Sequence, residues 1–188
     1  MLKKGLLAII LSVLTPIVHA TSDPYPYVGA SLGITSNTAT KEIFGSYRGA
    51  PVGIFAGFGG VIYQSFFLAA ELSATLFTTE ISNQGAVKTN YGGGISILPG
   101  IELCDQTILF GRLGVVRTHF SNVRLPAITT TRNMTGGQFG AGIQTGIGQN
   151  LDLRGEYDFI DYGTLSAGGY SAKPRSDIAT VSLIYKFA

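Results

Sequence analysis

Gln138-Phe139-Gly140-Ala141-Gly142-Ile143-Gln144-Thr145-Gly146-Ile147-Gly148 is the stretch on which the fold turns. Successive side chains of a strand point to opposite faces. One face here carries Phe139, Ala141, Ile143, Thr145 and Ile147, and the other carries Gln138, Gly140, Gly142, Gln144, Gly146 and Gly148. A sheet whose polar side meets bulk water rarely needs so much glycine. Glycine on that side predicts a crowded concave interior, with the apolar face turned to lipid.

The same alternation recurs at residues 27–36, 50–61, 65–77, 89–103, 108–120, 151–161 and 176–187, which makes eight strands in all. Val28, Leu32, Ile54, Leu72, Ile95, Leu113, Leu153 and Leu183 fall on the outward face. The inward face is read as small or charged. Pro99 interrupts the fourth strand, so a bulge or an edge is expected there. Short connections at residues 62–64, 104–107 and 149–150 alternate with long ones at 37–49, 78–88, 121–135 and 162–175. Short turns on one rim and long loops on the other are the asymmetry of outer-membrane barrels, and both termini then lie on the short-turn, periplasmic rim. The competing architecture is a soluble β-sandwich or lipocalin-like barrel, in which the apolar face would be the core.

Bulk properties agree with a membrane barrel. Residues 1–20 read as a removable signal peptide: Lys3 and Lys4, then an apolar run, then Val18-His19-Ala20 before Thr21. An uncleaved anchor is the alternative. Without Lys3 and Lys4 the 13 basic residues become 11, equal to the 11 acidic ones, so no nucleic-acid partner is implied. Cys104 is the only cysteine, which excludes an internal disulfide and a multi-cysteine metal site. No cofactor is implied. Beyond the signal no stretch of about 18 apolar residues is present to make a spanning helix. A chain that satisfies its own backbone in lipid without such a helix must close into a barrel.

Glu71, Glu102, Arg112, Arg154, Glu156 and Lys186 fall on the inward face. An eight-stranded barrel is just wide enough for side chains to fill, and unpaired buried charge is very costly. A mutually paired network of Glu71, Arg112, Arg154 and Glu156 is therefore expected across the lumen. It would act as a polar plug or, alternatively, as a gated ion path. Phe66, Tyr91, Phe120, Phe159, Tyr185 and Phe187 are expected in aromatic girdles at the two interfaces.

The signal peptide, the eight strands, and the stretches Arg112-Leu113-Gly114-Val115, Leu153-Arg154-Gly155-Glu156-Tyr157 and Tyr185-Lys186-Phe187 resemble the small opacity-type or OmpA-type outer-membrane barrels. The resemblance covers the mature chain. It implies an all-β, eight-stranded antiparallel transmembrane barrel in a Gram-negative outer membrane. It further implies insertion by the barrel-assembly machinery, with Tyr185 and Phe187 as the signal. Family members end in phenylalanine, whereas here Ala188 follows Phe187.

Three functions are compatible with this reading. The first is a structural or surface-interaction, adhesin-like role through the outer loops. Under the expected topology these loops carry Lys41, Arg48, Lys88, Arg117, Arg124, Arg132, Lys173 and Arg175 against Glu42, Glu80, Asp161 and Asp177, eight basic residues to four acidic. Such an excess suits lipopolysaccharide phosphate or an anionic host-surface ligand. The second is a narrow porin-like channel. The third is a lipid hydrolase: His119-Phe120-Ser121, followed by Asn122, resembles the His-x-Ser arrangement of outer-membrane lipid A deacylases, with His119 as base and Ser121 as nucleophile. That family also uses a carboxylate, and the nearby Arg132-Asn133 region offers none.

Overall fold

The structure is a computed structural model that describes residues 24–40, 46–83, 88–104, 106–125, 128–167 and 170–187. The signal peptide, Lys41, Glu42 and Ala188 lie outside the described residues. Nine strands run in order: β1 Tyr25–Thr40, β2 Tyr47–Tyr63, β3 Phe66–Asn83, β4 Lys88–Cys104, β5 Thr107–Leu125, β6 Ile128–Gly146, β7 Leu151–Tyr162, β8 Leu165–Ala167 and β9 Tyr170–Lys186. Sequential antiparallel pairing takes β1 through β7, β7 pairs with β9, and β1 pairs with β9 to close an eight-stranded barrel. The three-residue β8 pairs only with the outer end of β9.

Outward rows such as Val28–Leu32–Ile34 and Leu109–Leu113–Val115 are exposed, as lipid-facing residues must be. From β6 into the turn that follows it the row runs from Phe139 to Ile147. Eight steps of about 3.3 Å, tilted by about 40°, give roughly 20 Å of height before side-chain reach, which matches the apolar band of a spanning barrel. Above it the outward face turns polar, with Ser36, Arg48, Arg117, Thr135 and Asp161. The expected long loops are mostly absent as loops. Seven of the eight barrel strands continue well past the membrane band, while β7 stops at Tyr162, and the β5–β6 hairpin extends to Leu125 and Ile128. The ladder hydrogen bonds persist where alternating apolarity has faded, so hydropathy marked the membrane boundary rather than the strand ends. The short rim has tight turns, with Gln64 and Gln106 at φ 48 and φ 67.

The β4–β5 and β3–β4 ladders are each interrupted. Pro99 pairs with Leu68 in unbroken register, so the expected bulge or edge is not found. The β4–β5 ladder skips residues 98–99 and resumes at Gly100↔Phe110 in the same register as Ile97↔Leu113. A proline supplies no N–H, and the ladder absorbs that loss locally. The second seam lies between β3 and β4, where pairing ends at Thr75↔Gly92 although both strands continue outward. Both strands shift register against their other neighbours at this level, between Val52 and Gly53 and between Thr89 and Gly92. A slit results. It is bridged by Thr78 Oγ1 donating to the Asn90 carbonyl at 3.3 Å and by Lys88 with Glu80 at 3.4 Å.

Candidate functional site

The lumen is built in three layers. Near the short turns Tyr27, Phe55, Phe67, Leu98, Ile108, Phe110 and Ile184 form an apolar layer. Near the outer mouth Val116, Phe120, Met134, Ile160 and Tyr162 form a second. Charged side chains lie between. The inward face is therefore not only small or charged. Glycines make room for rings: a Cβ at Gly57 would strike the ring of Tyr27, and one at Gly29 the ring of Phe55. Phe120 belongs to the outer plug rather than a girdle; it is fully buried, edge-on to Tyr162 at 4.9 Å. Phe66, Tyr91, Tyr185 and Phe187 are exposed on the outer surface. Phe159 is half-buried beneath the Arg175 guanidinium, 5.5 Å away.

The middle layer brings together Glu71, Arg112, Arg154 and Glu156. Arg112 Nη2 reaches Glu71 at 2.6 Å and Glu156 Oε2 at 3.0 Å, while its Nε contacts the same Glu156 carboxylate. Arg112 Nη1 donates to Ser96 at 2.6 Å. Arg154 Nη1 donates to Glu71 at 2.7 Å, and its other nitrogens reach Gln144 Oε1 at 2.8 and 3.0 Å. The Arg154 guanidinium also lies over the rings of Phe55 and Phe110, at 4.9 and 5.1 Å, which ties the charged layer to the apolar one below. The Tyr27 hydroxyl donates to Glu71 at 3.1 Å. Bidentate, fully surrounded guanidinium–carboxylate pairs are the form in which buried charge is tolerated.

Lys186 sits apart from this layer, paired with Asp152 at 2.7 Å. Glu102, half-buried at the short-turn rim opposite Ile108, makes no ion pair among the described residues. Sequence reasoning left Asp158, Gln138 and Gln144 out of the network, and with them Ser96 and Tyr27. Asp158 shares its face with Arg154 and Glu156 by simple alternation, so its signal was present. Gln138 and Gln144 fall on the inward face by the same alternation, but which charges they meet is set by tertiary packing.

His119 and Ser121 do not act on each other. The His119 ring is stacked on Tyr91 at 4.6 Å, and its Nδ1 bonds Asn133 Oδ1 at 2.6 Å. Ser121 Oγ donates instead to Asn90 Oδ1 at 3.3 Å. A nucleophile needs its base within hydrogen-bond reach, and here different asparagines hold the two groups.

At the outer rim Lys173 is engaged by Asp161 at 2.6 Å, and the Tyr157 hydroxyl donates to Asp177 at 2.9 Å. The Arg124 side chain lies outside the described residues. Arg48, Arg117 and Arg132 are exposed, and among the described residues no salt bridge engages them. Among the described residues the positive charge of the rim that no salt bridge engages thus rests on these three guanidiniums and on Arg175, over the Phe159 ring.

A sequence profile described as the outer membrane protein beta-barrel domain matches residues 5–187. No curated protein sequence matches. Among solved structures, Neisserial surface protein A is similar with a TM-score of 0.55 and 18% identity, over 88% of this chain and 100% of that one. Ail, the attachment invasion locus protein of Yersinia pestis, is similar with a TM-score of 0.53 and 13% identity, over 87% and 99%. OprG of Pseudomonas aeruginosa follows with 0.51 and 10%, over 87% and 96%. At these identities the likeness is one of fold.

Proposed function

Because this chain belongs to the outer membrane protein beta-barrel domain family and resides in the outer membrane of a Gram-negative bacterium, we propose that it is a closed barrel that works at the cell surface, binding anionic groups with its outer collar. The observation that carries this reading is the pairing of a plugged lumen with a rim whose guanidiniums are unengaged. Two apolar layers and a charged one fill the interior, so the lumen is ill suited to transport. Arg48, Arg117 and Arg132 point their charge at the surroundings. Arginine presents a planar fork of donors that matches phosphate or sulfate.

Arg117 lies one step above the apolar band, where the phosphates of lipopolysaccharide would meet it. A sulfated host glycan is the alternative occupant of the same chemistry; a structure of Ail holds the heparin analogue sucrose octasulfate. Export directed by residues 1–20, and insertion by the barrel-assembly machinery reading Tyr185 and Phe187, belong to the same proposal.

The test is binding of the refolded protein to immobilised lipopolysaccharide and to immobilised heparin, at low and high salt. Retention should weaken with salt and fall about tenfold in the triple variant Arg48→Ala, Arg117→Ala, Arg132→Ala, equivalent to about 1.4 kcal/mol. Preference for lipopolysaccharide identifies lipid as the partner, and preference for heparin identifies a host glycan. Undiminished binding by the triple variant would refute the collar reading.

A further inference from the structure

The charged layer carries one carboxylate too many. Glu71, Glu156 and Asp158 face Arg112 and Arg154, while Asp152 and Lys186 balance each other below. Glu71 is held by both guanidiniums and by the Tyr27 hydroxyl. Glu156 is held by two nitrogens of Arg112. Asp158 is served less well. Gln138 Nε2 donates to its Oδ2 at 2.9 Å, but its Oδ1 has no hydrogen-bond donor. Arg112 Nε lies 3.8 Å from that oxygen and is already committed to Glu156.

Asp158 Oδ1 fills the space that a Cβ at Gly140 would take, and it is sealed from solvent. A bound ion therefore cannot supply the missing donor. Asp158 and Glu156 stand two residues apart on one face of β7, with their carboxyls in hydrogen-bonding reach of each other. Opposite them, Gly140 and Gly142 of β6 and Ile178 and Thr180 of β9 carry no charge. Arg112 of β5 and Glu71 of β3 complete the surroundings, and Arg154 of β7 is turned to Glu71 and Gln144. Two adjoining carboxylates in a water-poor interior repel strongly, and a single proton between them turns the repulsion into a hydrogen bond.

We infer that Asp158 and Glu156 share one proton, carried on Asp158 Oδ1 and donated to the Glu156 carboxylate. The converse placement would neutralise the group that Arg112 grips with two donors, whereas Asp158 accepts only the neutral Gln138 amide. The proton balances the middle layer and makes it a pH-sensitive lock. Asp158 stands just below Ile160 and Tyr162 of the outer plug, and other atoms of both carboxyl residues line the cavity of about 120 Å³ beneath that plug. Once the proton leaves, the two anions separate as Asp158 turns off Gly140 into this cavity, which draws in water and undercuts the plug. The switch is independent of anion binding by the collar.

The test compares wild type with Asp158→Asn by urea unfolding of the refolded full chain from about pH 6 to about pH 9, where free carboxyls of the unfolded chain are ionised. Asparagine keeps an acceptor for Gln138 and offers Glu156 an N–H in place of the proton. The folded wild type then holds one proton that its unfolded form has lost, so its stability falls as pH rises. Relative to Asp158→Asn, its folding equilibrium constant should drop about tenfold per pH unit for as long as the site keeps its proton. Infrared spectra in heavy water, in a detergent without ester groups, should show a protonated carboxyl band for wild type at about pH 6, where ordinary carboxylates are ionised. The band should vanish in Asp158→Asn. Parallel pH profiles for the two chains would overturn the inference, as would a band that persists in the variant. Should Asp158→Asn fail to fold, the wild-type spectrum decides, and absence of the band rejects the shared proton.

Discussion

Tyr27 stands directly opposite Gly57 in the β1–β2 ladder, and Phe55 opposite Gly29. Phe110 likewise lies between Gly100 on β4 and Gly142 on β6. Each ring lies across a neighbouring strand where the missing Cβ leaves space, and this is how a narrow lumen accepts aromatic rings without widening. Two glycines of the Gln138–Gly148 stretch make room for different groups. Gly142 accommodates Phe110, while Gly140 accommodates the Asp158 carboxylate. Gly57→Ala places a methyl against the Tyr27 ring and disturbs the bond from its hydroxyl to Glu71. Overpacking of this kind costs about 1–3 kcal/mol. Gly155 has nothing within 4 Å of an added Cβ, so Gly155→Ala should stay within about 0.5 kcal/mol of wild type. Urea unfolding of both variants in lipid vesicles checks the contrast, and equal effects would contradict it.

At the scale of elements, the outer halves of β3 and β4 are the weak part of the barrel. Above Thr75 and Gly92 they share no ladder, whereas β5 and β6 remain paired from Arg117↔Thr135 to Leu125↔Ile128, with one irregularity. An unpaired backbone edge exchanges its amide protons more readily than a paired one. Amide exchange of the refolded protein should be faster in residues 77–83 and 88–91 than in 117–120 and 132–135. Uniform protection across the two hairpins would mean that the slit closes in solution. Little of this element-level detail was legible beforehand. Alternation defines a strand's faces, but it is silent on which neighbour holds each edge.

For the whole molecule, the question is what keeps the lumen shut. Three layers do so in series, and only the middle one depends on charge. Arg112→Ala leaves Glu71, Glu156 and Asp158 facing Arg154 alone. Removing one partner from a buried ionic cluster costs about 3–5 kcal/mol. The variant should therefore melt well below wild type, yet show no steady conductance in planar bilayers, because the apolar layers above and below remain. An open pore with unchanged melting would make Arg112 a gate and restore the channel reading. In both proteins the folded form should migrate differently from the heated one on a gel.

Sequence by itself determined which residues face lipid, that the sheet must close, and that Glu71, Arg112, Arg154 and Glu156 share one interior. The reason is that strand periodicity and the scarcity of water in lipid act on every residue locally. Tertiary structure alone decided the rest. It turned the outer loops into a β collar, sent Phe120 into the lumen, parted His119 from Ser121, and left Asp158 and Gln138 each with an unmet oxygen. Those outcomes depend on which strand lies beside which, in what register, and on how a fixed volume is shared among side chains from eight strands.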